Sequence, residues 1–205
     1  MAIQLATIEE LAQRTNVSLS SGESEVFESV LNGATTMMEM VLQTELERTN
    51  IVDSYLIRET FNPASIRLWT SRQFLKEDTV QVYVGQHGTR VNRDTMSPLE
   101  ADSVYIDLRK GSIEILDFVD VKNTFIEVAY TAGFTTGDPT IPSWMKEAAI
   151  SAAVWLHRMQ AVRHGKKFDT VALDRELYRI MRAQVSTQLF SQYSGYFPDN
   201  STVTE

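Results

Sequence analysis

The sequence predicts an α+β fold: a mainly helical core of N-terminal and C-terminal helices, with a β-rich insertion or lobe between them. Three observations carry that expectation. Apolar residues recur at helical spacing near both ends of the chain, six short middle segments are rich in β-branched and aromatic residues, and no internal repeat or low-complexity tract divides the sequence. One domain over residues 1–205 is expected, with the insertion at about 47–123 and a flexible tail at about 191–205.

Thr7 followed by Glu10 has capping-box spacing, so a short helix is expected from there to about Arg14. After the break "NVSLSSGES", Val26, Phe27, Val30, Leu31, Ala34, Met37, Met38, Val41 and Leu42 mark a long amphipathic helix from about Ser24 to Leu46. "NIVDSYLI", "SIRLWTS", "DTVQVYVG", "SVYIDL", "SIEILDF" and "NTFIEVAYTAG" then read as strands. "IDLRKGSIEIL" reads as a hairpin in which Gly111 supplies the positive φ of a tight turn, and "GQHGTRVNRDTMSPLEAD" as a loop or strand tip.

Pro142 sits where a helix begins without losing a hydrogen bond, and "SWMKEAAISAAVWLHRMQAVRH" carries helix formers towards a stop at Gly165. A second C-terminal helix is expected from about Thr170 into the 180s, with Leu173, Leu177, Ile180, Met181 and Val185 on one face. The helix after Pro142 is apolar along Met145, Ala148, Ala149, Ala152, Leu156 and Met159, while Ile150 and Val154 lie on the opposite side. Both faces need cover, and Met145, Ala149, Ile150, Ala153 and Val154 are candidates for a subunit interface. Burial of both faces within one chain fits the same pattern.

The 205 residues are 43% hydrophobic and 22% charged, as in an ordinary globular protein. With no cysteine, disulfides, thiolate metal sites and cysteine nucleophiles are excluded. The start lacks a signal-peptide pattern and no segment approaches the roughly 20 apolar residues of a membrane span, so a soluble, non-secreted protein without a membrane partner is expected.

The net charge of −8 argues against a surface that grips nucleic-acid phosphates throughout. Arg158, Arg163, Lys166, Lys167, Arg175, Arg179 and Arg182 nevertheless cluster within 158–182. They form either a docking face for an acidic partner or the solvated side of two helices.

Known chemical motifs are missing. His157 and His164 share a helix face, but no acidic residue completes a metal site with them or with His87, so no metal is expected. "GQHG" and "TAGFTTG" are neither a phosphate loop nor a dinucleotide fingerprint, and no serine sits in a nucleophile elbow. Neither catalysis nor a cofactor is expected.

"FIEVAYTAGFTTGDPTIPSWMKEAAISAAVWLH" resembles the signature of the adaptor family of head-tail connector proteins from tailed bacteriophages. There a last strand ending in Tyr-Thr-Ala-Gly, here Tyr130 to Gly133, leads through a variable loop to a Pro-started, Ala-rich helix, here at Pro142. The match covers about 35 residues, and the long β-rich insertion and the extension after Ser186 depart from small members of the family.

The resemblance implies a structural virion protein of the neck, made in the host cytoplasm, that forms a homo-oligomeric, dodecameric ring beneath the portal. The ring would extend the channel for double-stranded DNA, without sequence-specific binding, and would join a downstream neck or tail protein. A closed ring repeats one heterologous contact, so each copy needs two different faces. The basic residues named above, together with Tyr193, Tyr196 and Phe197 of the tail, are the candidates to dock the portal. Competing readings are a tail-completion or stopper protein, a small enzyme with a site among His87, Gly88, Asp94 and Asp102, and an assembly chaperone using its Met-rich helix.

Overall fold

The computed structural model describes residues 3–42, 44–58, 65–85, 89–116, 123–163 and 197–204, with side chains described as far as residue 160 in the last helix. Among these residues are three α-helices, α1 (Ile8–Thr15), α2 (Ser21–Leu42) and α3 (Ser143–Arg163). Seven strands accompany them: β1 (Thr49–Ile57), β2 (Ser65–Trp69), β3 (Gln81–Val84), β4 (Val104–Asp107), β5 (Ser112–Leu116), β6 (Thr124–Ala132) and β7 (Asn200–Thr204). The chain divides into two compact units, Met1–Glu47 with Phe134–Ser191, and Arg48–Gly133 with Gln192–Glu205.

The expected mainly helical fold is overturned: the strands form two antiparallel sheets with a core of their own, and the fold is sheet-rich. The physical reason lies in the middle segments, each of which contributes apolar side chains to that core or packs them against it. All six expected strands form, and β6, beyond the expected end of the insertion, lies inside the larger sheet between β3 and β1. The expected helix from Thr170 falls outside the described residues.

In the helical unit, α1 starts with the expected capping box: the Glu10 N–H donates to Thr7 Oγ1 (3.2 Å) and the Thr7 N–H to Glu10 Oε2 (2.8 Å). α2 starts three residues earlier than the periodicity indicates. There the Glu23 carboxylate turns back to accept from the Ser20 N–H (3.1 Å) and hydroxyl (2.8 Å), satisfying a backbone donor the new helix leaves open. Phe27, Val30, Leu31 and Ala34 of α2 form one core with Leu11 and Ala12 of α1 and with Ile150, Ala152, Ala153 and Val154 of α3. Gly33 permits the close approach of α2 and α3, since a Cβ there would lie 3.1 Å from Leu156 Cδ1.

The β unit is a sandwich of a four-stranded sheet, ordered β3-β6-β1-β7, and a three-stranded sheet, ordered β2-β5-β4. Ile51, Tyr55 and Ile57 of β1 and Ile126 and Val128 of β6 meet Ile66 and Leu68 of β2 and Ile113 and Ile115 of β5 between the sheets. β4 and β5 make the expected hairpin, with Gly111 at φ 68°. Asn200–Thr204, in the segment expected to be a flexible tail, are paired with β1 as β7. The edge of β1 opposite β6 offers that strand a complete row of backbone partners. No helix among the described residues is long and apolar enough to cross a membrane.

Candidate functional site

The stretch that carries the resemblance occupies β6, the loop after it and α3. Its side chains alternate along β6, with Thr124, Ile126, Val128, Tyr130 and Ala132 buried and the intervening residues half-buried. In β1, Ile51, Asp53, Tyr55 and Ile57 are buried and in phase on the core face, and Val52 on the opposite face is buried as well. Asp53 is thereby placed, 0% exposed, on an apolar face, which calls for local compensation.

That compensation is a compact polar cluster. Asp53 Oδ2 accepts from the Ser71 N–H (2.7 Å) and the Tyr130 hydroxyl (2.8 Å), and Asp53 Oδ1 accepts from the Ser71 hydroxyl (2.8 Å). The Ser71 and Tyr130 hydroxyls lie 3.0 Å apart. Nearby, the Tyr55 hydroxyl donates to the Trp69 carbonyl (2.9 Å), a second tie from β1 to the end of β2. Burial, then the charge of Asp53, raises the Tyr130 phenol above its ordinary value, and the same causes in the same order raise Tyr55. Both phenols therefore stay protonated near neutrality and serve as donors.

The rest of the Tyr-Thr-Ala-Gly run is equally engaged. The Thr131 N–H donates to Thr79 Oγ1 (2.9 Å), its hydroxyl to Asn50 Oδ1 (2.8 Å), and its carbonyl accepts from the Lys76 N–H (2.8 Å). Ala132 bridges to Leu75, and Gly133, at φ 84°, donates its N–H to the Phe74 carbonyl (3.0 Å). The run fastens the 71–79 segment to the end of β6. Chemically the cluster offers a carboxylate saturated with donors and two protonated phenols, with neither an activated nucleophile nor a free base. It links β1 and β6 of the larger sheet to Ser71, two residues beyond the end of β2 in the smaller one.

Downstream, the Pro-bearing loop is built around Asp138, whose Oδ1 accepts from the Thr140 N–H (2.9 Å) and hydroxyl (2.6 Å). The Pro142 carbonyl then accepts from Met145 N–H (2.9 Å) and Lys146 N–H (3.2 Å), opening α3. Pro142 thus precedes the first helical residue, where its missing N–H costs nothing.

The candidate interface residues do not make a free face. Met145, Ala149 and Ala153 are buried, and Ile150 and Val154 are only 8% and 6% exposed. α3 packs against both α1 and α2, so the cover its two apolar sides require comes from its own chain. Of the two readings the sequence leaves open for these five residues, an intersubunit contact and burial within one chain, these contacts account for their burial by the second.

Among the portal-docking candidates, Arg158 is exposed on α3 and Phe197 is 58% exposed, with its ring stacked on Trp69 at 6.4 Å between centroids. Arg163 closes α3, but its side chain lies outside the described residues, as do Lys166, Lys167, Arg175, Arg179, Arg182, Tyr193 and Tyr196. For the enzyme reading, Asp94 is exposed in a loop and Asp102 in a short 3-10 helix (Ala101–Ser103), and His87 and Gly88 lie outside the described residues. Among the described residues no group of three or more His, Cys, Asp or Glu side chains could hold a metal ion.

Sequence reasoning missed Asp53, Ser71 and Tyr55. The signal for Asp53 was present in "NIVDSYLI", where the carboxylate keeps phase with Ile51, Tyr55 and Ile57. Ser71 and its contact to Tyr130, 59 residues on, have no local signal. No family model matches the chain, and no curated protein matches it.

Proposed function

We propose that the chain is a head-tail connector of the adaptor type, a structural protein of the neck of a tailed bacteriophage. Copies form a ring beneath the portal, continue the DNA channel and present a platform to the next neck or tail protein. The observation that carries this reading is the junction at 125–157, where a strand ends at Gly133, the chain crosses an Asp138-ordered loop and an Ala-rich helix follows Pro142. That order of strand, glycine, loop and helix is the layout the resemblance implies.

Physical chemistry supports the role. A net charge of −8 makes walls that repel DNA phosphates, so a duplex passes without sticking. Ring closure through different faces suits a chain with a helical unit and a sandwich unit, which present helices and sheet edges respectively. Arg158 and the basic positions that follow it are the groups assigned to the portal. The role is to join two assemblies; it contains no chemical step.

A second reading within the same neck is a tail-completion or stopper protein, for which a β-rich portion and a lower helix content are expected; the two sheets favour it, whereas the long helices α2 and α3 favour the adaptor. Cryo-EM of the virus particles, reconstructing the neck without the capsid's symmetry, separates the two. A ring of this chain directly below the portal supports the adaptor, and a ring further from the head supports the stopper. Absence of the chain from the particles refutes both.

A further inference from the structure

β7 differs from the other six strands in how it is held. Asn200, Ser201, Thr202 and Val203 are exposed and Thr204 is half-exposed, so the strand contributes no side chain to either core. The backbone ladder to β1 attaches it, with three anchors just before it. The Leu56 N–H donates to Asp199 Oδ2 (2.6 Å), the Asp199 N–H donates to the Ser54 carbonyl (2.8 Å), and Phe197 stacks on Trp69. Every partner in this set belongs to β1 or β2, and each copy of the chain presents the same set.

The connection to β7 also crosses between units. β7 lies in the sandwich unit, whereas the last described element before it, α3, lies in the helical unit. Residues 164–196 separate the two, a length that reaches at most about 120 Å when extended. "NSTVT" has no charge and no proline, the devices by which edge strands discourage pairing with another chain.

We infer that β7 is an exchanged strand: in the assembled protein, β7 of one copy adds to β1 of a neighbouring copy, through the contacts it makes here within one chain. Exchange creates no new surface to be matched, because the donor and the acceptor edge are already complementary. Detaching β7 with its Phe197 anchor uncovers Trp69, 6% exposed here, and the same ring of a neighbouring copy covers it again, so the closed and exchanged forms bury the same side chains. The inference rests on the ring reading above, since head-to-tail exchange around a ring leaves no strand and no edge over.

The absence of native cysteine makes the test direct. Ser54 and Asn200 are opposite partners in the β1–β7 ladder, and opposed antiparallel residues lie about 4.5–5.5 Å apart at Cα, within disulfide reach. Full-length S54C and N200C proteins, one of them isotopically labelled, are mixed, concentrated until they assemble and oxidised, and the linked peptides are identified by mass spectrometry. The S54C/N200C double variant is oxidised in parallel and run on a non-reducing gel.

The expected result is an S54C to N200C link between labelled and unlabelled chains in the assembled fraction, with the double variant giving a covalent ladder there and an internally linked monomer when dilute. An assembled fraction whose double variant links only within single chains overturns the inference, as does failure to assemble at any concentration. Both leave the neck reading open, because a ring seen in particles could close through other surfaces. Conversely, exchange in solution by a chain absent from particles keeps the inference and removes the neck reading.

Discussion

Replacing Asp53 tests whether the buried cluster holds the sandwich together. Asp53→Ala removes a carboxylate that accepts three hydrogen bonds from Ser71 and Tyr130. Hydrogen bonds to a charged group are worth about 1.5–3 kcal/mol each. Part of that is returned, because the folded state no longer buries a charge and the Tyr130 hydroxyl retains Ser71 Oγ at 3.0 Å. The net expectation is a loss of about 3 kcal/mol.

Asp53→Asn should cost only about 1 kcal/mol, because an amide can keep its oxygen towards the Ser71 N–H and Tyr130 and donate its NH2 to Ser71 Oγ, which can turn to accept. Urea unfolding followed by far-UV circular dichroism measures both. With a slope of about 1–3 kcal/mol/M, the alanine variant should move the midpoint of the sandwich transition down by about 1–3 M. Hydrogen exchange of the 49–57 and 70–75 peptides assigns the change to this unit. An alanine variant within about 0.5 kcal/mol of the parent would refute the reasoning. So would an asparagine variant as damaged as the alanine one, which would make the charge, and not the acceptor geometry, the stabilising element.

Other consequences are open to measurement. Tyr55 and Tyr130 have phenol pKa values above that of the unfolded chain, so their contribution is whole below about pH 10 and falls as pH rises from there towards the folded values, by up to about 1.4 kcal/mol per pH unit for each. Urea midpoints at pH 9, 10 and 11 should therefore fall, and less steeply in Tyr55→Phe and Tyr130→Phe. Gly111→Ala should cost at least about 2 kcal/mol by the same assay, since φ is 68° and the added methyl would meet the Arg72 carbonyl and Thr70 Oγ1. Val154→Glu should unfold the helical unit, by about 3 kcal/mol or more, through burial of an unpaired charge; an altered oligomeric state with unchanged circular dichroism and thermal stability would place Val154 at an interface instead. Phe197→Ala should remove about 0.5–1.5 kcal/mol of ring stacking and speed hydrogen exchange in 200–204, with the rest of the sandwich unchanged.

The legible parts of the fold were those governed by local chemistry. Thr7 and Glu10 mark their helix because both halves of the capping box lie within four residues, and Gly111 marks its hairpin because a tight turn needs a positive φ. The six segments of alternating or β-branched texture are strands for the same local reason. Partnership was not legible. Nothing in "NSTVT" distinguishes a polar tail from a strand, because β7 is defined by the row of β1 backbone groups it meets more than 140 residues away. The two-sided apolar pattern of α3 was read correctly as a need for cover, but pattern cannot say whether the cover comes from α1 and α2 or from another copy.

The same distinction bears on the motif behind the functional reading. Tyr130, Thr131, Ala132 and Gly133 are each occupied in fastening the 71–79 segment or the core carboxylate, and Gly133 takes a backbone conformation that side chains resist. A motif so engaged specifies how a sandwich strand ends before a helix begins. Its value for function therefore comes through architecture, and the surfaces that would join head to tail must be sought where side chains and backbone edges remain unspent. Arg158 is one such group on the helical unit, and the exchangeable ladder between β1 and β7 is the corresponding element of the sandwich. Charge reversal at Arg158 addresses the portal contact and the cysteine pair addresses the contact between copies, so the two joints of the proposed ring can fail separately.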